Sequence, residues 1–512
     1  MNLQAKEVQL LEYRGHIRNW KKLCEILEVE NGLPREEREK ALILNGYRKW
    51  GEKLCNHFYG MFAFALKDQD KILAFRDHFG TKPFYYCVTE QKELLFGTFI
   101  RDILAKPEYR KELEEEILQN YLTMTYVGGE KTFFKGIKKL MPGHYLVFEN
   151  GNLEIHSYWT PKFRPDDSKS LEEYAEEIND VMKEIMGEVE DEKADAFLSS
   201  GVDSSYILAM SKVKRVHTCG YEEEQFDESS LAEDTANILG RESKRLVITP
   251  EEYFGEVTRV CEGMEQPLGD ASAVVFSIAC RHVAEYAPVC YSGEGSDEFF
   301  GGYRMYGKAE QYKEHLQDFY VGNTMIMCET EKKELLLNYR EDLRPVQLVS
   351  NTYKEIAEYD PLSKMMRIDM ELWLEGDIYL NVDKMSAVND LEVRMPFTDP
   401  RMFETASRIP PKYKVTEQMN KLAFRTAAGK VLPKEIAFRD KRGFSVPIRQ
   451  WLTDSRYNKD VREKLSGESA GKFFHKEKLQ EMFDAFLEGE SDLWRKIWTI
   501  YMFLVWYEIY FA

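Results

Sequence analysis

Two short runs of small residues each end in a carboxylate: Ser199-Ser200-Gly201-Val202-Asp203, followed by Ser204-Ser205, and Ser292-Gly293-Glu294-Gly295-Ser296-Asp297. Each follows an apolar run, Ala196-Phe197-Leu198 in the first case and Val289-Cys290-Tyr291 in the second. A strand that opens through small residues into a helix suits phosphate. Its amide N–H groups and the helix dipole favour an anion, and small side chains let the phosphate approach the backbone. No Gly-Lys-Ser/Thr follows, so neither run is a Walker loop. The aspartates would repel bare phosphate, and Mg²⁺, which takes carboxylate and phosphate oxygens together, resolves the conflict. Two such loops fit adjacent strands of one sheet that meet over a shared crevice. Asp203 and Asp297 would then share the metal, and Glu294 would point into the same space. Taken alone, the first run also reads as an ordinary turn with a serine cap, the weaker of the two readings.

The elements that must position these loops are legible as a change of texture. Residues 55–100 carry apolar and aromatic runs broken by the turn Lys67-Asp68-Gln69-Asp70-Lys71, and Asn150-Gly151 marks another hairpin. This is a β-rich N-terminal region. A proline- and charge-rich stretch at 161–171 reads as a linker. Beyond it, helical patterns at 171–189, 228–239 and 251–263 alternate with short strands at 194–198, 215–221, 245–248 and 287–291. That alternation predicts a parallel sheet with crossover helices. From about 304 onward the chain is mostly helical.

Composition excludes several classes. The net charge of −19 repels phosphate backbones, so no nucleic-acid partner is expected. The apolar run near the C-terminus is too short to span a bilayer, which needs about 20 residues, so a buried terminal helix is expected and no membrane partner. Eight scattered cysteines without a Cys-x-x-Cys pair read as buried free thiols in a reducing, cytoplasmic compartment. No secretory signal opens the chain.

The run 199–205 resembles the SGGxDS pyrophosphate loop of the N-type ATP pyrophosphatases, and 292–303 is similar to the second signature of the asparagine synthetase family. The match continues through 379–399 and 432–452. The resemblance implies an α/β fold: a C-terminal PP-loop parallel sheet of the adenine-nucleotide α-hydrolase type with a helical extension (173–512). A linker (161–172) and a truncated Ntn-hydrolase-like α+β sandwich (1–160) would precede it. One departure is Ser200, where the family pattern has glycine.

The resemblance also implies chemistry. Family members activate a carboxylate by attack on the α-phosphate of ATP, release pyrophosphate, and let a nitrogen nucleophile displace AMP. Asp203 and Asp297 would bind Mg²⁺. Ser199, Ser200, Gly201, Ser204 and Ser205, with Ser292 and Gly293, would hold ATP and its pyrophosphate, and Leu198 and Cys219 would line the adenine slot. Lys441 matches the family's catalytic lysine, stabilising charge in adenylation and in the tetrahedral intermediate. Glu294 matches the position that takes a proton from the attacking amine. Lys384, Arg394 and Lys421 are candidate contacts to phosphate or to a substrate carboxylate, and equally candidates for structural ion pairs.

The front of the chain departs from the family. Glutamine-using members begin Met-Cys-Gly, whereas this chain begins Met1-Asn2-Leu3, and its first cysteine, Cys24, lies inside an amphipathic helix. A nucleophile needs a free thiolate and a base, which Cys24 lacks. The family's glutamine-binding NGEIYN becomes Arg14-Gly15-His16-Ile17-Arg18-Asn19, with Arg14 for Asn and His16 for Glu, and Glu39 stands where Asp is expected. An inactive, degenerate glutaminase follows.

Three functions remain open. The first is an ATP- and Mg²⁺-dependent synthetase with aspartate and ammonia as default substrates, with a separate glutaminase or a homodimer as possible partners. The second is an amide-forming or ring-closing enzyme of the β-lactam or lasso-peptide kind, acting on another small carboxylate and amine. The third is a non-catalytic binding subunit.

Overall fold

The computed structural model describes residues 8–189, 193–440 and 445–512. Its N-terminal strands are β1 (Gln9–Ile17), β2 (Gly60–Asp68), β3 (Lys71–Arg76), β4 (Tyr85–Val88), β5 (Leu94–Gly97), β6 (Lys138–Lys139), β7 (His144–Glu149) and β8 (Asn152–Ser157). They form an antiparallel sheet in the order β1-β2-β3-β7-β8 and a smaller sheet β5-β4-β6. Strand β2 is buried on both faces for most of its length. Phe62 and Phe64 pack against the helices Trp20–Leu27 and Arg35–Trp50. Ala63 and Ala65 face Phe84 and Tyr86 of the second sheet. Alternate residues of one strand thus serve two layers, which makes the region a sandwich. The turn expected at Asn150-Gly151 joins β7 to β8, and both residues adopt positive φ (52° and 76°) as a two-residue hairpin requires.

The helix Leu171–Val189 opens the second half. There β9 (Ala194–Phe197), β10 (Arg215–Gly220), β11 (Glu242–Val247), β12 (Val289–Tyr291) and β13 (Glu392–Arg394) form an all-parallel sheet in the order β11-β10-β9-β12-β13. The expected strands fall within it. Strand β13 escaped notice, because three residues inside a largely helical stretch give no periodic signal. The chain moves outward from β9 through β10 to β11, then returns to pair β12 on the other side of β9. The order therefore reverses between β9 and β12, where ligands of open α/β sheets bind.

The C-terminal helix Trp494–Phe511 buries Trp498 and Trp506 completely. Trp506 Nε1 donates to the Glu265 carbonyl at 3.0 Å, and Thr499 O accepts from Tyr121 Oη at 2.8 Å. The helix is thereby pinned from both halves. No helix among the described residues is long and apolar enough to cross a membrane.

The halves are joined by buried ion pairs. Arg14 and Lys82 both reach Asp383 at 2.8 Å, Arg18 reaches Asp399 at 2.7 Å, and Arg76 and Lys139 meet Glu375 at 2.9 and 2.7 Å. Arg35 pairs with Glu392. Removing one member of such a pair leaves a buried charge unpaired, at a cost of about 3–5 kcal/mol.

Candidate functional site

The two loops leave the C-terminal ends of β9 and β12, which are neighbours in register Ala194↔Val289 to Ala196↔Tyr291. They touch: a Cβ on Gly293 would lie 3.0 Å from the Asp203 carbonyl carbon and from Ser204 N. The first loop ends in the helix Val202–Met210, with Gly201 as its extended N-cap (ψ 157°). Its hydroxyls brace the turn. Ser199 N donates to Ser204 Oγ at 3.1 Å, Gly201 N donates to Ser199 Oγ at 3.2 Å, and Ser205 Oγ donates to the Gly201 carbonyl at 2.8 Å.

At the crossing point stands Lys421. Its Nζ lies 2.6 Å from Asp203 Oδ1 and 2.7 Å from Asp297 Oδ1, and it donates to Ser296 Oγ at 3.2 Å. Ser296 Oγ in turn donates to Asp203 Oδ1 at 2.9 Å. Both carboxylates therefore converge on one cationic point. Lys421 itself adopts φ +59°, in the left-handed region, at the start of the helix Leu422–Ala428. Strain of that kind persists only where the surroundings enforce it. Gly302 closes the floor: a Cβ there would fall 1.7 Å from Asp297 Oδ1 and 2.2 Å from Lys421 Cε. Next to Asp297, burial and the Asp297 charge push the Glu298 carboxyl up to about 8.

Ser199, Ser200, Gly201, Asp203, Ser204, Ser292, Gly293, Glu294 and Asp297 all line one cavity of about 280 Å³, together with Leu198 and Cys219. Most of the expected site residues are thus brought together. Ser205 is not: it is fully buried, its hydroxyl spent on Gly201. Lys384 is not, since it is buried beside Glu265 at 2.5 Å, with Phe99 under its ammonium at 4.3 Å. Nor is Arg394, on β13, which bonds Glu392 at 2.7 Å and the Val189 carbonyl at 3.0 Å. A buried cation needs a partner wherever it sits, and the sequence does not say which. Lys441 lies outside the described residues. Cys280 and Cys290 are buried as expected, Cys219 is half-buried at the cavity wall, and Cys328 is exposed, contrary to expectation.

Other groups at the site went unread. Ser200, the departure from the family pattern, donates its hydroxyl to Glu228. Asp377 lies fully buried in a π-helical turn (Leu374–Tyr379), next to Ile378 of the cavity wall. Burial pushes its carboxyl well above the usual range. A short motif such as Ser-Asp-Glu announces Ser296, but nothing local announces Glu228 or Asp377.

In the N-terminal half, the residues at the glutamine-binding positions turn inward. Arg14 is committed to Asp383. His16 is buried 3.3 Å from Glu39, and Glu39 accepts from Ile17 N at 3.0 Å. Cys24 is buried, and burial raises its thiol. Burial also lowers His16 and His78 to about 4. Unfolded, both titrate near 6.5, so below that pH the unfolded chain takes up protons that the folded chain refuses. The stability these neutral rings supply is complete above pH 6.5 and declines as pH falls toward 4, by about 2 kcal/mol each at pH 5. Thermal unfolding at pH 7 and pH 5 should therefore show a smaller pH-dependent loss in His16→Gln and His78→Gln than in the parent chain. An unchanged loss would contradict the assignment.

An antiparallel sandwich in front of a five-stranded parallel sheet, with paired carboxylates at its switch point, defines the class: a PP-loop synthetase carrying an amidotransferase-type domain. Residues 173–508 match the model of the asparagine synthase family, and residues 1–159 match that of the glutamine amidotransferase domain. The chain belongs to the asparagine synthase family, the ATP-dependent carbon–nitrogen ligases. It is 30% identical to asparagine synthetase (glutamine-hydrolyzing) 1 of Bacillus subtilis, over 98% of this chain and 86% of that protein. It is 28% identical to the putative asparagine synthetase (glutamine-hydrolyzing) of Mycobacterium bovis, over 99% of this chain and 85% of that one. It is also 25% identical to amidase chyE of Penicillium rubens, over 81% and 71%.

Proposed function

We propose that this chain adenylates a small carboxylate, aspartate by default, and passes the acyl group to ammonia to give an amide, releasing pyrophosphate and AMP. The observation that carries the reading is the convergence of Asp203 and Asp297, from two adjacent strand-top loops, on one cationic point. The donor set fits a divalent ion: two hard carboxylate oxygens beside a helix N-terminus, both now within 2.7 Å of a single nitrogen. Asp203 and Asp297 would hold Mg²⁺, whose charge would offset the charge that develops on the departing pyrophosphate. Ser199, Ser200, Gly201 and Ser204, with Ser292 and Gly293, cradle the phosphates, and Leu198 and Cys219 take the base. Lys421 holds the two carboxylates together and offers its ammonium to the triphosphate. Lys441 supplies a second cation. Glu294 accepts the proton of the attacking nitrogen. We place the division between the domains at 161–172.

The nitrogen source is ammonia, free or delivered by a separate protein. Arg14 is paired with Asp383 of the synthetase half and His16 lies against Glu39, so neither is available for glutamine, and the Cys24 thiol is buried. The purified protein should therefore make AMP and pyrophosphate with ammonium present and release no glutamate from glutamine. Glutamate release would overturn this part. Carboxylate-dependent ATP–pyrophosphate exchange tests the rest. Exchange with aspartate supports the reading. Exchange only with another acid favours a cyclising or natural-product relative. No exchange with any acid removes the adenylation itself.

A further inference from the structure

We propose that Glu228 reads the ribose of the nucleotide, an inference that rests on the ATP reading of the cleft. Two cavities meet at the first loop. The larger carries Asp203, Glu294 and Asp297, where phosphates belong, and also the rings of Phe197, His217 and Phe276. The smaller is lined by Thr218, Tyr221, Phe226 and Ser445, a wall rich in aromatic surface. Leu198, Ser199, Ser200, Cys219 and Glu228 line both, and Glu228 is the one charged side chain among them. A nucleotide runs base, ribose, phosphate. Of the shared residues, Leu198 and Cys219 serve the base and Ser199 and Ser200 the phosphates, which leaves Glu228 for the sugar between them.

A carboxylate at that junction calls for a reason, because it repels the phosphates beside it. Ribose supplies one: its two vicinal hydroxyls donate, and a carboxylate accepts from both, a charge-assisted interaction. In dinucleotide-binding sheets an acidic residue about 20 residues beyond the phosphate loop holds a ribose hydroxyl in the same way. The position is also fixed. Glu228 stands at the N-cap position of the helix Ser229–Ile238, and its Oε2 accepts from Ser200 Oγ. Arg439 holds the Ser200 carbonyl at 3.2 Å from the other side. The serine that replaces the family's glycine thus ties the phosphate loop to the sugar-reading carboxylate.

The test is calorimetric binding of ATP, 2′-deoxy-ATP and 3′-deoxy-ATP, each with Mg²⁺, to the full chain. A hydrogen bond to a charged group is worth roughly tenfold or more in affinity, so each deoxy analogue should bind about tenfold more weakly than ATP. Glu228→Ala should bring the three constants within about twofold of one another, chiefly by weakening ATP. Ser200→Gly, which removes the tie but keeps the carboxylate, should preserve the tenfold preference. If Glu228→Ala does not fold, Glu228→Gln should still cut the preference at least threefold. A parent chain that binds all three nucleotides equally overturns the inference and leaves the ATP reading intact. So does a Ser200→Gly variant that loses the preference as fully as Glu228→Ala, since Glu228 would then only shape the loop. Failure of the parent chain to bind ATP at all would instead defeat the ATP reading, and this inference with it.

Discussion

Asp297→Asn is expected to lower the rate of carboxylate-dependent ATP–pyrophosphate exchange about 100- to 1,000-fold while the protein stays folded. The substitution keeps the side chain's size and leaves Lys421 paired with Asp203 at 2.6 Å, so the fold loses little. What disappears is one of two anionic ligands for a divalent cation, and with it about 3–4 kcal/mol of stabilisation of the charge on the departing pyrophosphate. Asp203→Asn should behave alike. The double variant should be scarcely worse than either single one, because residues that act as a unit are not additive. Exchange in Asp297→Asn within a few-fold of the parent chain would contradict the role assigned to the pair.

The second large effect needs no change to any reacting group. Gly302→Ala should reduce exchange at least about 100-fold. Its Cβ would fall 1.7 Å from Asp297 Oδ1 and 2.2 Å from Lys421 Cε, distances that no real side chain tolerates. Either Asp297 or Lys421 must move, and a displacement near 1 Å in a preorganised site costs on the order of 10²-fold in rate. Overpacking costs about 1–3 kcal/mol in stability, so the variant should melt a few degrees lower and still be folded. Loss of exchange with folding retained locates the site at this floor. Unimpaired exchange would show that the close packing of Gly302, Asp297 and Lys421 does not matter to it.

How far these features could be read from the sequence differs by kind. The strand-top loops were legible because phosphate binding needs small residues and a helix start in consecutive positions, and both appear in the right order twice. The alternation of helix and strand after 171 was legible because a parallel sheet demands crossovers. Long-range pairings were not. Lys384, Arg394 and Lys421 carry the same kind of charge in similar stretches, yet only Lys421 reaches the carboxylates. Lys384 is spent on Glu265 and Arg394 on Glu392 and a backbone carbonyl. Spacing along the chain cannot tell which cation lands on which acid, since that is decided by where the helical extension folds back. Ser205 shows the same limit at short range: one residue beyond Ser204, it lies on the buried side of its helix. In the N-terminal half, Arg14 and His16 could be recognised as replacements. That Arg14 reaches across to Asp383 could not, because the partner lies 369 residues away.

The central claim is that Asp203 and Asp297 together grip one divalent ion beneath a nucleotide's triphosphate. Mn²⁺ can stand in for Mg²⁺ and be counted by electron paramagnetic resonance, with a non-hydrolysable ATP analogue at saturation. The account predicts a tightly held ion in the parent chain whose affinity falls at least about tenfold in Asp203→Asn and, separately, in Asp297→Asn. Unaltered Mn²⁺ affinity in both variants would contradict it.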